Sequence, residues 1–346
     1  MCRLRFDISV VLRSAVTAMM IVLFGVGNGA AQGEAALLSH YWALPTYYNP
    51  AAVGETDCLR IRGGARLQWV GIDDAPRSFY AVADMPLKFA DRKWGAGVVV
   101  SRSSEGLYRN LNVGAQFGYK FNLLKGEFTL AFQAGYLQND FKGSQLSLPD
   151  DGEVEPVDGS LPTSDVKGGA VDLGLGVWYT RGGSWLGVSL SHLNNPTVTY
   201  KSSLDMPVTT GQVSDGEGVE EQNFEFTASR MVYFTAGSNI AVRNTLLEVI
   251  PSVIVRTDFT RTSFELTGRL RYKKMFSAGV GYRYKDAVAA MLSAELKGVF
   301  VGYAYEYNLR DIAKGSSGSH EIFAGYSLKL DFSGHNRYKH KSIRLL

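Results

Sequence analysis

The chain has 346 residues, of which 45% are hydrophobic and 20% are charged, and its formal net charge is +3 at pH 7. So small a charge argues against a dedicated nucleic-acid-binding protein, and two cysteines exclude a disulfide framework and a multi-cysteine metal site. The length suits several ordinary domains or one large all-β barrel.

The first 31 residues predict a secretion signal peptide. Basic residues flank an apolar run from Ala15 to Val26, which is too short to cross a bilayer as a helix. Gly29 and Ala31 are the small residues that signal cleavage requires at its −3 and −1 positions. We therefore expect an exported protein in which Cys58 is the one remaining cysteine.

Residues 32–56 form an aromatic segment that lacks strand-like alternation and contains several turn-forming residues. Its central motif is Tyr47, Tyr48, Asn49 and Pro50. Aromatic side chains need burial, and irregular backbone at membrane depth is tolerated only inside protein or a watery cavity. If the rest of the chain is a barrel, residues 40–54 are therefore predicted to plug its lumen and to bury Tyr41 and Trp42 as well.

From residue 57 to residue 332, apolar side chains alternate with polar or small ones. Between Val299 and Tyr307, for example, every second residue is a valine or a tyrosine. Successive side chains of a strand point to opposite faces, so the pattern indicates strands with one apolar face. The fourteen predicted segments are 57–70, 77–88, 92–103, 108–122, 126–141, 168–180, 184–194, 230–242, 245–258, 262–273, 275–285, 287–297, 299–310 and 319–332.

The lengths of the connections distinguish a membrane barrel from a soluble β-sandwich. Counted from the first hairpin, the long connections at 142–167, 195–229 and 311–318 are all odd-numbered, and the even-numbered connections are short. Bacterial outer-membrane barrels have short periplasmic turns and longer extracellular loops, whereas a sandwich gives no reason for this parity. The sequence therefore predicts an all-β fold, a transmembrane antiparallel β-barrel of about fourteen strands, in the cell outer membrane. The predicted divisions are the signal peptide 1–31, the plug-like segment 32–56, the barrel 57–332 and a basic tail 333–346.

Closure of such a barrel requires its first strand to pair with its last, because an open edge in lipid leaves backbone groups unsatisfied. Antiparallel pairing brings Arg66 near Glu321 and Arg60 near Asp331, all on the polar face. These charges are predicted to seal the seam. In the competing interpretation, His320 and Glu321 lie at the outer rim and contact a partner.

The sequence contains no recognisable catalytic, cofactor-binding or metal site, and we expect no enzyme activity and no cofactor. The five histidines are scattered, and the two in the tail lack carboxylate or cysteine companions. The predicted polar face carries both signs of charge, which favours a network that fills or stiffens the barrel over a selective pore. The loops 142–167 and 195–229 are acidic, and they predict either a solvated surface or a docking surface for an exported partner.

Several motifs, in order along the chain, resemble one family. Tyr47–Gly54 is similar to the opening "YNPAxAG" of PorP/SprF proteins, and Arg66–Gly71, with Gln68 and Trp69, resembles their "RxQW" element. The stretch Ser191–Pro196 and the sequence Gly-Ser-His-Glu-Ile near the carboxyl end resemble two further elements.

The PorP/SprF family comprises outer-membrane proteins of Bacteroidetes associated with type IX secretion and gliding motility. The resemblance implies a non-enzymatic barrel that acts in export, docking or surface display of other proteins. It also implies its partners: outer-membrane lipid, other type IX secretion or envelope proteins, and a secreted adhesin with a type IX C-terminal domain. No nucleic-acid partner is expected.

A transporter or channel for hydrophobic or small polar compounds is the alternative. Fourteen strands and an amino-terminal plug would also suit a fatty-acid channel. That function needs an apolar cavity or an opening in the wall, whereas the predicted inner face is charged.

Overall fold

The computed structural model describes residues 37–145, 164–203 and 221–330, without the side chains of 201–203 and 221–224. The predicted signal peptide, the basic tail, Asp331 and much of the two acidic loops lie outside these residues. In the described part of the chain, no helix is long and apolar enough to span a membrane.

The described residues form a closed antiparallel barrel of fourteen strands, which confirms the predicted fold. Neighbours in sequence pair with each other, and the sheet closes where the first strand, β1, pairs with the last, β17. The fourteen barrel strands are β1 (Cys58–Leu67), β2 (Arg77–Phe89), β3 (Arg92–Glu105), β4 (Tyr108–Leu123), β5 (Gly126–Lys142), β6 (Asp165–Arg181), β7 (Ser184–Ser191), β10 (Met231–Ser238), β12 (Leu247–Thr257), β13 (Thr262–Tyr272), β14 (Phe276–Arg283), β15 (Ala287–Leu296), β16 (Val299–Asn308) and β17 (Ser319–Lys329). The other three are β8 (Thr197–Ser203), β9 (Glu221–Thr227) and the two-residue β11 (Ile240–Ala241), which pairs with β12.

Burial alternates along the barrel strands as the sequence pattern predicts. On β16, Val299 and Val301 are each 50% exposed on the outside, whereas Phe300 and Ala304 are buried inside. An outward apolar face suits lipid, and the inward face carries the polar side chains.

The two ends of the barrel differ in their connections. At one end, tight turns such as Ala90–Asp91 and Leu124–Lys125 have positive φ at both residues, which matches the twist of a two-residue hairpin. We call this the short-turn end. The other, the long-loop end, carries residues 68–76 and 309–318 and the longer connections between β5 and β6 and between β7 and β10.

The connection between β7 and β10 is not only a loop, which corrects the sequence-based interpretation of residues 195–229. It contains β8 and β9, which pair as a hairpin separate from the barrel sheet. Val198 and Tyr200 of this hairpin are buried against Phe141 and Val166 at the long-loop end. The sequence pattern of so short a stretch did not distinguish a hairpin from a loop. The hairpin is held by packing against β5 and β6, which local sequence does not reveal.

Candidate functional site

The lumen of the barrel holds the stretch Leu37–Gly54, which we call the N-terminal segment. It consists of three short helical turns at Tyr41–Ala43, Pro45–Tyr48 and Pro50–Ala52. Proline begins the second and third turns, where its fixed φ suits a helix and its missing N–H costs nothing. The two prolines therefore favour compact turns over an extended strand, and these turns lie in the barrel lumen.

Asn49 joins two of these turns and fastens them to the wall. Its side-chain oxygen accepts a hydrogen bond from the backbone N–H of Ala51 at 2.9 Å, as an N-cap does. Its amide nitrogen donates to the carbonyl of Val177 on β6 at 3.0 Å. A side chain at neighbouring Gly176 would collide with the Asn49 oxygen, so a glycine is required at this close approach.

The aromatic residues of the segment are buried among lumen side chains. Tyr41 and Tyr48 are each 3% exposed, and Trp42 and Tyr47 are partly buried against the same apolar cluster. The Tyr41 hydroxyl shares a 2.7 Å hydrogen bond with Ser252 on β12.

A cluster of buried charges lies in the long-loop half of the lumen, and we call it the lumen network. Its members are Arg66, Glu265, Arg283, Glu306 and Glu321, all 4% exposed or less. Arg66 Nη1 lies 2.5 Å from Glu321 Oε1, and its Nη2 lies 2.6 Å from Glu306 Oε1. Arg283 Nη2 lies 2.8 Å from Glu265 Oε2 and 3.0 Å from Glu306 Oε2. The five side chains therefore form one continuous chain of ion pairs across β1, β13, β14, β16 and β17.

The N-terminal segment completes this network with its own polar groups. The backbone N–H groups of Ser39 and His40 donate to the two oxygens of Glu321 at 2.9 and 3.1 Å. Arg283 donates to the carbonyl of Leu37 at 2.7 Å. The network has three glutamates but only two arginines. The backbone N–H groups of Ser39 and His40 therefore supply hydrogen bonds to a carboxylate that the two arginines do not fully satisfy.

At the other end of the segment, a second ion pair holds the chain before it enters β1. The backbone N–H of Gly54 donates to Asp84 Oδ2 at 2.9 Å, and Arg60 bonds both oxygens of Asp84 at 3.1 and 3.0 Å. Burial raises the pKa of the adjacent Glu55, and the charges of Arg60 and Lys120 oppose that rise. The segment therefore runs through the lumen from the long-loop half to the short-turn half, anchored by charged groups at both ends.

The predicted seam residues are placed by the register of β1 and β17. Arg66 lies directly opposite Glu321, and Arg60 binds Asp84, while its expected partner Asp331 is outside the described residues. His320 faces outward, where its ring shares a 2.8 Å hydrogen bond with the Tyr303 hydroxyl.

Gln68 and Trp69 follow β1 at the long-loop end. The backbone N–H of Gln68 donates to the Pro76 carbonyl, and that of Trp69 donates to the Ser319 hydroxyl at 3.2 Å. Trp69 has a φ of 50°, so the chain bends sharply as it leaves the strand.

The predicted site did not include Glu306, Arg283, Glu265 or Asp84. Alternation places all four on the polar face, but no local signal shows which of the many lumen charges meet. Among the described residues, no group of histidine, cysteine, aspartate or glutamate could hold a metal ion.

Comparison with known proteins gives one family. The family model described as type IX secretion system membrane protein PorP/SprF matches residues 30–326, which include the N-terminal segment and nearly all of the barrel. No curated protein matches the chain.

Solved structures with a similar barrel include two transporters and one further outer-membrane protein. The toluene transporter TbuX of Ralstonia pickettii is 12% identical with a TM-score of 0.48, covering 83% of this chain and 93% of that one. The toluene transporter TodX of Pseudomonas putida is 13% identical with a TM-score of 0.46, covering 86% and 95%. The outer membrane protein Omp33 of Acinetobacter baumannii is 7% identical with a TM-score of 0.42, covering 79% and 98%.

Proposed function

The chain belongs to the PorP/SprF family of type IX secretion system membrane proteins, and we propose that it is a non-catalytic component that exports, docks or displays partner proteins. It is an outer-membrane β-barrel. Its proposed partners are other secretion or envelope proteins and a secreted adhesin with a type IX C-terminal domain, with a role in gliding motility.

The observation that carries this proposal is the filled lumen. The N-terminal segment lies in the lumen and is bonded through its backbone to Glu321, Arg283 and Asp84. We therefore infer that partner proteins bind at an end of the barrel and do not pass through its lumen. We place the docking surface at the long-loop end, in the acidic loops 142–167 and 195–229.

Removal of the β8–β9 hairpin tests the docking surface. We expect a variant with residues 197–227 replaced by a short glycine–serine linker to assemble in the outer membrane and to lose co-purifying surface proteins. Mass spectrometry of the tagged barrel from native membranes measures this loss. The matched control is Leu124→Ser, an exposed change in a short turn at the opposite end. Equal recovery of partners from the hairpin variant and the wild type would contradict docking at these loops.

The proposed orientation puts the short turns in the periplasm and the long loops outside, as in bacterial barrels. In a Cys58→Ser background, single cysteines at Ser160 and Gly216 are expected to react with a membrane-impermeant maleimide on intact cells. Both positions lie in the long connections, outside the described residues. A cysteine replacing Lys125 in a short turn should react only after the envelope is opened. The reverse labelling pattern would show that the long loops face the periplasm.

The residues that line the lumen support transport of hydrophobic compounds less well than they support docking. An apolar solute needs an apolar route, but arginines and glutamates line the interior at both ends of the N-terminal segment. Conduction through the lumen would therefore require release of this segment.

A further inference from the structure

A cavity of about 410 Å³ lies in the short-turn half of the lumen, beside the N-terminal segment. Tyr41, Trp42 and Tyr48 line it from the segment, and Trp178 and Trp185 line it from β6 and β7. Its remaining wall is basic, because Arg60, Arg62, Arg269, Arg271 and Lys274 all line it, against the acidic Glu55 and Glu295. The lumen network lies in the other half of the barrel and does not reach this cavity.

The arginines of the cavity differ in how their charge is balanced. Arg60 is held by Asp84, and Arg271 by Glu248, both through ion pairs. Arg62 donates to the Ala43 carbonyl at 2.9 Å and lies 3.8 Å from Glu295 Oε2.

Arg269 differs from the others because it has no carboxylate partner in the described part of the chain. It is only 6% exposed, and its guanidinium carbon lies over the Trp42 ring, 3.7 Å from the ring centroid. A buried cation is normally paired, since leaving water without a counter-charge is unfavourable. The Trp42 face supplies part of that compensation through its quadrupole.

Arg269 and Arg62 each lie over one of two aromatic rings that contact each other. Arg62 lies over the Phe300 ring at 4.4 Å, and the Phe300 and Trp42 rings meet edge to face with centroids 5.9 Å apart. Both guanidiniums line the cavity and add positive charge to its wall.

The same residues also carry a surplus of hydrogen-bond donors. Trp42 Nε1, Arg62 Nε and Arg269 Nε are buried nitrogens that find no acceptor among the described residues. Each of these groups can donate but cannot accept. Arg269 lines the cavity, and no described residue accepts a hydrogen bond from its guanidinium. An oxyanion, which only accepts hydrogen bonds, matches this group.

We propose that this cavity binds a small oxyanion, a phosphate or carboxylate group, on the guanidinium of Arg269, which stacks on the Trp42 ring, while Arg62 adds positive charge to the same wall. The planar fork of Arg269 would contact the anion through two parallel hydrogen bonds. This site is separate from the docking surface at the long-loop end and does not depend on the proposed secretion function.

Thermal unfolding of the purified barrel in detergent tests the site. Sodium phosphate and sodium acetate are titrated separately, with sodium chloride at equal ionic strength to remove general screening. Since a ligand that binds only the folded state raises the melting temperature, at least one oxyanion is expected to raise it above the chloride value. Arg269→Gln is expected to bind about ten- to hundredfold more weakly, as removal of a charged hydrogen-bond donor implies.

Two further variants separate binding from a merely structural role. Arg271→Gln lines the same cavity, but its charge is already neutralised by Glu248, so it should keep the oxyanion response. Arg269→Lys keeps the charge without the planar fork and should respond between the wild type and Arg269→Gln. The proposal is overturned if neither oxyanion stabilises the wild type beyond chloride, or if Arg269→Gln responds as the wild type does.

Discussion

Replacement of Arg66 by alanine is expected to lower the unfolding free energy of the barrel by about 3–5 kcal/mol, as for other buried ion pairs that lose one partner. Arg66 bridges Glu306 and Glu321, and its removal leaves two adjacent carboxylates in a site that is 2% exposed or less. Thermal unfolding in detergent, followed by heat-dependent gel migration, measures the loss. The control is Lys314→Ala, which breaks an ion pair with Asp311 that is exposed on both sides and should leave stability unchanged.

A double-mutant cycle with Glu321→Ala then separates seam from partner contact. If the pair seals the seam, the combined variant should lose less stability than the sum of the single losses, by about 0.5–3 kcal/mol. The removal of Glu321 in the Arg66→Ala background relieves repulsion with Glu306 but also frees the backbone N–H groups of Ser39 and His40. Strictly additive losses would contradict the seam pair, and since Glu321 is 0% exposed, the partner-contact interpretation would then rest on His320.

Deletion of residues 40–54 is expected to convert a silent barrel into a conducting one in planar bilayers. Eight strands enclose a lumen that their own side chains fill, while 16–18 strands leave an aqueous channel. Fourteen strands lie between these cases, and here the N-terminal segment occupies the space that the barrel side chains leave. A folded deletion variant with the same closed baseline as the wild type would show that the segment does not seal the lumen.

A single substitution at the wall provides a gentler version of the same test. A methyl group at Gly95 would overlap the backbone carbonyl of Val53, which cannot rotate away. Gly95→Ala should therefore displace the N-terminal segment from the wall and produce intermittent channel openings. The matched control is Gly174→Ala on β6, whose added methyl group would meet only ordinary contacts with Gln133 of β5 and with Leu190 and Ser191 of β7. Openings of equal frequency in both variants would indicate a general loosening of the barrel.

Much of the fold could be predicted from local pattern. The period-two alternation identified the barrel strands and the inward face of residues such as Glu306 and Glu321, because the face of a strand residue depends only on its neighbours. Closure between the first and last strands followed from the need to satisfy edge hydrogen bonds in lipid. That argument also placed Arg66 opposite Glu321, which is their register in the structure.

The contacts that cross more than one strand could not be predicted in the same way. Arg66 on β1 reaches Glu306 on β16 past the intervening β17, and Arg283 on β14 reaches Glu306 past β15. Such pairs depend on the curvature of the closed sheet and on the length of each side chain, which no local pattern encodes.

The sequence by itself determined the strands, their inward and outward faces, the even strand number and an aromatic segment unable to form a strand. Each of these is a property of neighbouring residues or of backbone hydrogen bonding. Only the tertiary structure decided what the segment binds, since the N–H groups of Ser39 and His40 meet a carboxylate 281 or 282 residues away. It also decided the surroundings of two arginines on the same face of β13, because among the described residues Arg271 pairs with Glu248 whereas Arg269 lies over the Trp42 ring without a carboxylate partner.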